Sequence, residues 1–340
     1  MSKHRTLFVT KRAPLHQCNA LAAAPPELEI ILCASPSREE LLSLLPDAEI
    51  LISERSGVVD EEMIAAGKRL RLIQRLGSLT YDIDVEAARR AGVPVCYWPI
   101  SSCIHVAEHT LMLMLTLARR LPDLAHVALS ASDWGTPPRE CDANTFAYNW
   151  SGRRNLRTVS GGTVGILGMG EIGSELARRL RSLDCTVLYH KRTRLPGAAE
   201  EDLGVQYVAL DELQARSDFL CCLLPHSEET AHIIDAAFIS RMKPGAFLIS
   251  TGTSTALNEG EVAEAVRQGK LAGLATDGYC WEPIRPDNPL LPLARDPSCN
   301  VVLTPHVAAG QNSAHPSARM QDYTNVVRLL ADQPLLHRVV

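Results

Sequence analysis

Gly168, Gly170 and Gly173 stand in GMGEIG, where an apolar run meets a helical repeat, a spacing suited to holding a phosphate. Val164, Ile166 and Leu167 read as the strand before them. Ile172, Leu176, Ala177 and Leu180 recur at helical spacing after them, and Thr186 to Tyr189 reads as a second strand. The three glycines differ in role. Gly168 permits the turn, Gly170 lets a pyrophosphate approach the backbone, and Gly173 lets the helix pack closely. The N–H groups around Glu171, Ile172 and Gly173 open the helix and attract phosphate. A glycine turn bracketed by two strands within about thirty residues points to a dinucleotide site.

The end of the second strand bears on which dinucleotide. A site for NAD usually has an acidic residue there, about twenty residues past the first glycines, to bind the ribose 2′-hydroxyl. The chain has His190, Lys191, Arg192, Thr193 and Arg194 instead. Three cations and a hydroxyl suit a 2′-phosphate, so NADP(H) is the expected cofactor and NAD(H) the alternative. Without a ligand, the same residues would form a solvated basic loop.

The elements around this unit alternate strand and helix. In the first hundred residues, strands are expected at Leu7 to Thr10, Ile30 to Cys33, Ile50 to Ser53, Leu72 to Leu76 and Val93 to Tyr97. Helices are expected at Arg38 to Leu45, Glu61 to Ala66 and Val85 to Ala91. Such alternation implies a parallel sheet covered by helices. From Cys103 to Leu121 runs one long helical pattern, apolar nearly all round and therefore expected to be buried in a seam. Asp133 to Arg157 reads as an irregular connection. From Val164 onward about six strands are expected, the content of a whole dinucleotide-binding sheet, and the segment from Ala314 is again helical.

A chain of 340 residues with a net charge of −5 is long enough for two cores and offers no global attraction for nucleic acid or a membrane surface. The opening MSKHRTLFVT is too short in apolar residues for a signal peptide. The apolar stretch from Ile104 to Ala118 is too short and too interrupted to span a bilayer. The ten cysteines are scattered without C-x-x-C spacing, so reduced thiols, no metal site and a cytoplasmic location are expected.

Five blocks together resemble the D-isomer-specific 2-hydroxyacid dehydrogenases, including the glyoxylate and hydroxypyruvate reductases. They are VAEHTLMLMLTLARR (Val106 to Arg120), GGTVGILGMGEIG (Gly161 to Gly173), MKPGAFLIS (Met242 to Ser250), GEVAEAVRQGKLAGLATDGYCWEP (Gly260 to Pro283) and LTPHVAAG (Leu303 to Gly310), in the family's order and spacing. The resemblance implies an α/β fold of two Rossmann-like domains with doubly wound parallel sheets. A dinucleotide domain, residues 104–307, would be inserted into a discontinuous, flavodoxin-like substrate domain made of residues 1–103 and 308–340. It also implies an active site in the cleft, a small-molecule substrate and a homodimer through the helix at 103–121.

The same resemblance assigns roles. His306, in TPH, corresponds to the acid/base that gives a proton to a carbonyl oxygen as hydride arrives. Glu282, in the EP motif, corresponds to the carboxylate that orients the imidazole and favours its charged form. The third family residue is an arginine that grips the substrate carboxylate, and here the matching position is Thr253. A neutral hydroxyl cannot replace that charge, and losing one such donor typically costs about 10²–10³ in rate. Asp277 matches the aspartate that meets the nicotinamide carboxamide, Thr251 and Gly252 match backbone positions beside the nicotinamide, and Leu224 and Pro225 border the adenosine side.

The substrate loop departs too. Gly77, Ser78 and Leu79, followed by Thr80 and Tyr81, replace the family's Gly-Val-Gly, so Leu79 stands where a glycine is usual. Tyr81 and Trp281 could add aromatic walls, and Arg75 is the nearest candidate for a compensating cation. These departures point to a substrate bulkier or less anionic than glyoxylate, handled by an NADP(H)-dependent oxidoreductase. The alternative is a dinucleotide-sensing or scaffold protein of the corepressor kind, which could dispense with the arginine.

Overall fold

Short apolar runs between helical repeats form two parallel sheets in the computed structural model, which describes residues 3–55, 57–131, 135, 137–310 and 316–340. They belong to two compact units, Met1–Ile104 with Ala309–Val340, and His105–Ala308.

In the first unit the order is β1 (His4–Thr10), α1 (Pro14–Ala22), β2 (Leu28–Ala34), α2 (Arg38–Leu44), β3 (Ile50–Glu54), α3 (Glu61–Ala66), β4 (Leu72–Leu76), α4 (Val85–Ala91) and β5 (Val95–Trp98). The strands lie β2-β1-β3-β4-β5, all parallel. The inner strands β3 and β4 are buried along their whole length, apolar at their starts and with Ser53, Glu54, Gln74 and Arg75 buried toward their ends. Alternate residues face opposite sides. Leu7, Leu51, Ile73 and Val95 pack with Met63, Ile64, Ala87 and Ala88 on one face. Phe8, Ile50, Ile52, Leu72 and Cys96 pack on the other with Ala20, Tyr323 and Val326. That second face explains the return of the C-terminal segment, where the Tyr323 hydroxyl donates to the Ala20 carbonyl at 2.8 Å. Helix α1 has no counterpart in the sequence reading; Pro14 at its start is the one local signal.

Helix α5 (Ser101–Ala118) leads from the first unit into the second, followed by α6 (Leu121–Ser130). The single helix expected over 103–121 is therefore divided. Arg120 adopts a left-handed backbone (φ +51°), and Pro122 can stand only in the first turn of a new helix. No helix or strand forms in the described part of 135–157, and Asp133, Trp134 and Thr136 of that connection lie outside the described residues.

The second unit continues with β6 (Thr163–Leu167), α7 (Glu171–Arg181), β7 (Thr186–His190), α8 (Gly197–Leu203), β8 (Val205–Tyr207), α9 (Leu210–Arg216) and β9 (Phe219–Cys222). It closes with α10 (Ala236–Arg241), β10 (Ala246–Ser250), α11 (Glu259–Arg267), β11 (Leu271–Thr276), α12 (Leu291–Arg295) and β12 (Val301–Leu303). Its seven parallel strands run β12-β11-β10-β9-β6-β7-β8, one more than expected. From β6 the chain steps outward to β7 and β8, then returns to β9 on the other side, so the order reverses between β6 and β9. A 3₁₀ segment, Pro316–Tyr323, and α13 (Thr324–Leu330) complete the first unit, while Ala314 lies outside the described residues.

Candidate active site

The glycine turn sits at the point where the strand order reverses. Gly168 follows β6 with φ +99°, and a Cβ there would come within 2.9 Å of the Leu223 carbonyl that follows β9. Only glycine lets these two chain segments pass. Gly170 is the N-cap of α7 and no side chain caps it. A Cβ on Gly170 would meet nothing within 4 Å, so the space in front of the helix start is open. A Cβ on Gly173 would press on the Gly168 carbonyl at 3.1 Å, the mark of tight helix packing. Glu171 is buried behind the turn, with Ile172 following it. This cradle fits a pyrophosphate, which would meet uncapped N–H groups at an open helix end.

At the end of β7 the three expected cations do not behave alike. Arg194 forms a paired bond to Glu200, at 2.9 and 2.7 Å, and lies over the Tyr207 ring. Glu200 also accepts from the Tyr189 hydroxyl at 2.6 Å, and the Arg194 guanidinium holds its carboxyl below the usual carboxylate range. Arg194 therefore departs from the expectation of a free phosphate ligand. Its charge is matched by a carboxylate that enters from α8, beyond the strand-end window. Arg192 and Thr193 are exposed and Lys191 is half-buried.

His306 lies in the loop after β12, in a left-handed backbone (φ +52°) that a histidine adopts only under constraint. Its Nδ1 is 2.6 Å from Glu282 Oε2. Ionised Glu282 can only accept, so Nδ1 carries the proton and Nε2 is the position free to exchange one. Burial raises the Glu282 carboxyl, but His306, the Tyr279 N–H (3.0 Å) and the Ser254 hydroxyl (2.8 Å) outweigh it and hold it below the usual range.

Asp277, at the end of β11, is 2% exposed and grips the same turn. Its Oδ1 accepts from Thr304 Oγ1 at 2.5 Å and the Val307 N–H at 3.1 Å, and its Oδ2 from the Ala308 N–H at 2.8 Å. His109 Nε2 meets Thr304 Oγ1 at 3.0 Å, and the Tyr279 hydroxyl donates to the Thr304 carbonyl at 2.9 Å. Asp277 thus braces the turn on both sides of His306, through the Thr304 side chain before it and the backbone of Val307 and Ala308 after it. Ser254, Thr304, Tyr279 and His109 are absent from the sequence reading because no local motif ties them to Glu282 or Asp277.

The Thr253 loop is fixed by backbone. The Thr251 and Gly252 N–H groups donate to the Cys222 carbonyl, and the Thr253 N–H to the Leu224 carbonyl at 2.8 Å, beside Pro225. A Cβ on Gly252 would lie 2.7 Å from the Leu224 oxygen. The Thr251 hydroxyl is drawn away to Thr110, at 2.6 Å. Thr253 Oγ1 meets Thr255 Oγ1 at 3.2 Å, and Thr255 in turn meets His226 Nδ1 at 2.9 Å. Trp281, one residue before Glu282, is exposed and carries the Arg285 guanidinium over its ring at 5.3 Å.

In the first unit, Arg75 does not supply the expected compensating cation. It is 0% exposed, bonded to Asp82 Oδ1 at 2.5 Å and to the Gly57 carbonyl at 3.0 Å. Because Asp82 follows the loop that Arg75 precedes, this buried pair braces residues 77–81 from beneath. Gly77 (φ +130°) holds the Trp98 carbonyl with its N–H at 2.8 Å. Leu79 is buried within that loop, whereas Ser78 is half-buried and Tyr81 exposed.

Among the described residues no cluster of three histidines, cysteines or acids could hold a metal ion, and no helix is long and apolar enough to cross a membrane.

Residues 111–308 match the model of the D-isomer specific 2-hydroxyacid dehydrogenase NAD binding domain. A D-3-phosphoglycerate dehydrogenase of Archaeoglobus fulgidus is 31% identical over 313 residues, covering 92% of this chain and 55% of that protein. The chain thus spans about half the length of the phosphoglycerate dehydrogenases it matches. A glyoxylate reductase of Aeropyrum pernix is 31% identical over 293 residues, covering 86% of this chain and 83% of that protein. The crystal structure of a glyoxylate reductase from Paecilomyes thermophila is 25% identical, with a TM-score of 0.54 over 99% of this chain and 98% of that one. With two parallel α/β sheets, a glycine turn at the strand reversal of the second, and these matches, the chain belongs to the D-isomer-specific 2-hydroxyacid dehydrogenase family.

Proposed function

We propose that the protein is an NADP(H)-dependent oxidoreductase that moves hydride between the nicotinamide and a carbonyl or hydroxyl carbon. The observation that carries this reading is the 2.6 Å contact of His306 with Glu282 in the unit that holds the glycine turn. A bound dinucleotide would supply or accept the hydride. His306 Nε2 then gives a proton to the carbonyl oxygen and takes it back in the reverse direction. Glu282 keeps Nδ1–H in place and stabilises the imidazolium.

Lys191, Arg192 and Thr193 favour the 2′-phosphate of NADP(H) over NAD(H), since no carboxylate stands among them. Gly168, Gly170, Glu171, Ile172 and Gly173 are assigned to the pyrophosphate, Leu224 and Pro225 to the adenosine side, and Thr251, Gly252 and Asp277 to the nicotinamide. Thr253, beside the reacting group, leaves the usual 2-oxo carboxylate without its cation. The substrate is therefore a small molecule bulkier, or less anionic at its reacting end, than glyoxylate, with Gly77, Ser78, Leu79, Tyr81 and Trp281 at its walls. A homodimer built on α5 in the cytoplasm completes the reading. Retention of both His306 and Glu282 favours an enzyme over a dinucleotide-sensing scaffold, which would need neither.

The test is consumption of NADPH and NADH by the purified chain against a panel of 2-oxo acids, ketones and aldehydes. Turnover with NADPH, slow on glyoxylate and faster on a larger carbonyl compound, is expected. Tight NADPH binding without turnover of any of them would overturn the enzymatic reading.

A further inference from the structure

We propose that His226, acting through Thr255, orders the hydroxyl of Thr253 as a hydrogen-bond donor, so that the site takes a carbonyl compound with an uncharged oxygen acceptor, not a carboxylate, beside its reacting carbon. The proposal deepens the oxidoreductase reading and rests on it, and every residue it uses belongs to the second unit.

Two chain segments meet here, the loop after β9 and the loop after β10. In the first, the Thr230 hydroxyl donates to the Pro225 carbonyl at 2.8 Å and accepts from the Ser227 N–H at 2.9 Å, so both neighbours of His226 are held. In the second, the Thr253 N–H donates to the Leu224 carbonyl and the His232 N–H to the Thr255 carbonyl, each at 2.8 Å. These backbone bonds set three side chains in a row. His226 Nδ1 lies 2.9 Å from Thr255 Oγ1, which lies 3.2 Å from Thr253 Oγ1. The row begins at an exposed imidazole and ends on two half-buried hydroxyls.

The protons available along this row fix its direction. A carbonyl oxygen on the substrate has lone pairs only, so Thr253 must donate to it. Thr253 then accepts from the Thr255 hydroxyl, and the Thr255 N–H reaches the same oxygen at 3.4 Å, so the two together occupy its lone pairs. With its proton given to Thr253, Thr255 accepts from His226, and Nδ1 carries the proton. In the opposite order Nδ1 accepts from Thr255 and the Thr253 proton turns back to Thr255. Thr253 would then present lone pairs to the substrate and repel its oxygen. The next hydroxyl of the loop, Ser254, is committed to Glu282 at 2.8 Å.

This arrangement selects by charge at position 253. One neutral donor satisfies an ester or amide carbonyl, but it does not offset the desolvation of a carboxylate, which a cation would. His226 is therefore a positioning residue, and Thr253 is the group that touches the substrate.

The full chain, saturated with NADPH, is assayed on methyl pyruvate and on pyruvate, which differ by one charge. Methyl pyruvate should have the higher kcat/KM. Thr253→Val, Thr255→Val and His226→Leu should each lower kcat/KM for methyl pyruvate about tenfold, the size of one hydrogen bond, with NADPH affinity unchanged. His226→Leu combined with Thr253→Val should lose no more than Thr253→Val alone, because the three side chains act as one row. His226→Asn, which places an amide N–H near the position of Nδ1–H, should recover most of the His226→Leu loss. Independently of turnover, long-range ¹H–¹⁵N spectra of the histidine-labelled chain should show a proton on His226 Nδ1. Additive losses, an unimpaired Thr253→Val, a bare Nδ1 or faster turnover of pyruvate each overturn the proposal while leaving the oxidoreductase reading intact. Absence of turnover with every carbonyl compound overturns both.

Discussion

Ser254 donates its hydroxyl to Glu282 Oε1 at 2.8 Å, while the other oxygen of that carboxylate holds His306. Ser254 directly follows Thr253, so the loop after β10 supports the His306–Glu282 pair.

Removing that hydroxyl should shift the pH profile. Ionised Glu282 holds His306, and its carboxyl lies below the usual range partly because Ser254 bonds the charged form. The contribution of the ionised pair is present above the ordinary carboxylate pKa and disappears as pH falls through the lowered one. In Ser254→Ala the carboxyl rises toward its ordinary value, so the acid limb of kcat/KM should move to higher pH. An unchanged acid limb would show that Ser254 does not tune the pair.

His306→Asn should lower kcat by about 10²–10⁴, the usual worth of a positioned acid/base, with NADPH affinity unaltered. Glu282→Gln should lower kcat less, since an amide oxygen can still accept from Nδ1–H but cannot stabilise the imidazolium by charge. Single-turnover rates with a saturating carbonyl substrate measure both.

Asp277→Ala should destabilise the second unit and cost activity together. It would leave the Thr304 hydroxyl and the Val307 and Ala308 N–H groups without their acceptor, at about 1–3 kcal/mol for each one left buried and unsatisfied. Denaturant unfolding reads the first effect. The second appears as a fall in kcat, because the left-handed turn at His306 loses its brace.

Thr253→Arg should raise turnover of glyoxylate and other small 2-oxo acids by about 10²–10³, the worth of one donor to the developing oxyanion. Michaelis–Menten kinetics with glyoxylate would detect it. No gain would show that the loop zipped to Leu224 does not aim position 253 at the reacting group.

The basic loop should divide by residue. Arg192→Ala is expected to lower the NADPH-over-NADH preference in kcat/KM by about tenfold, the size of one charge-assisted bond. Arg194→Ala should alter it less, because Glu200 already balances that charge. Paired cofactor titrations of the two variants decide the order.

The features legible in the chain before folding are local ones. Apolar runs mark the strands of both sheets, and the spacing of Gly168, Gly170 and Gly173 marks the turn, because each depends on neighbours within a few residues. The residue types at 253 and 191–194 are equally open to reading. Folding decides which side chains meet. Strand order brings Glu282, Asp277, Ser254 and Thr304 around the turn at His306, although they come from the ends of three strands, β10, β11 and β12. It commits Arg75 to Asp82 and Arg194 to Glu200, turning two expected ligands into braces. A charge is legible in a sequence, but whether it is free or matched depends on partners that only the folded sheets bring near.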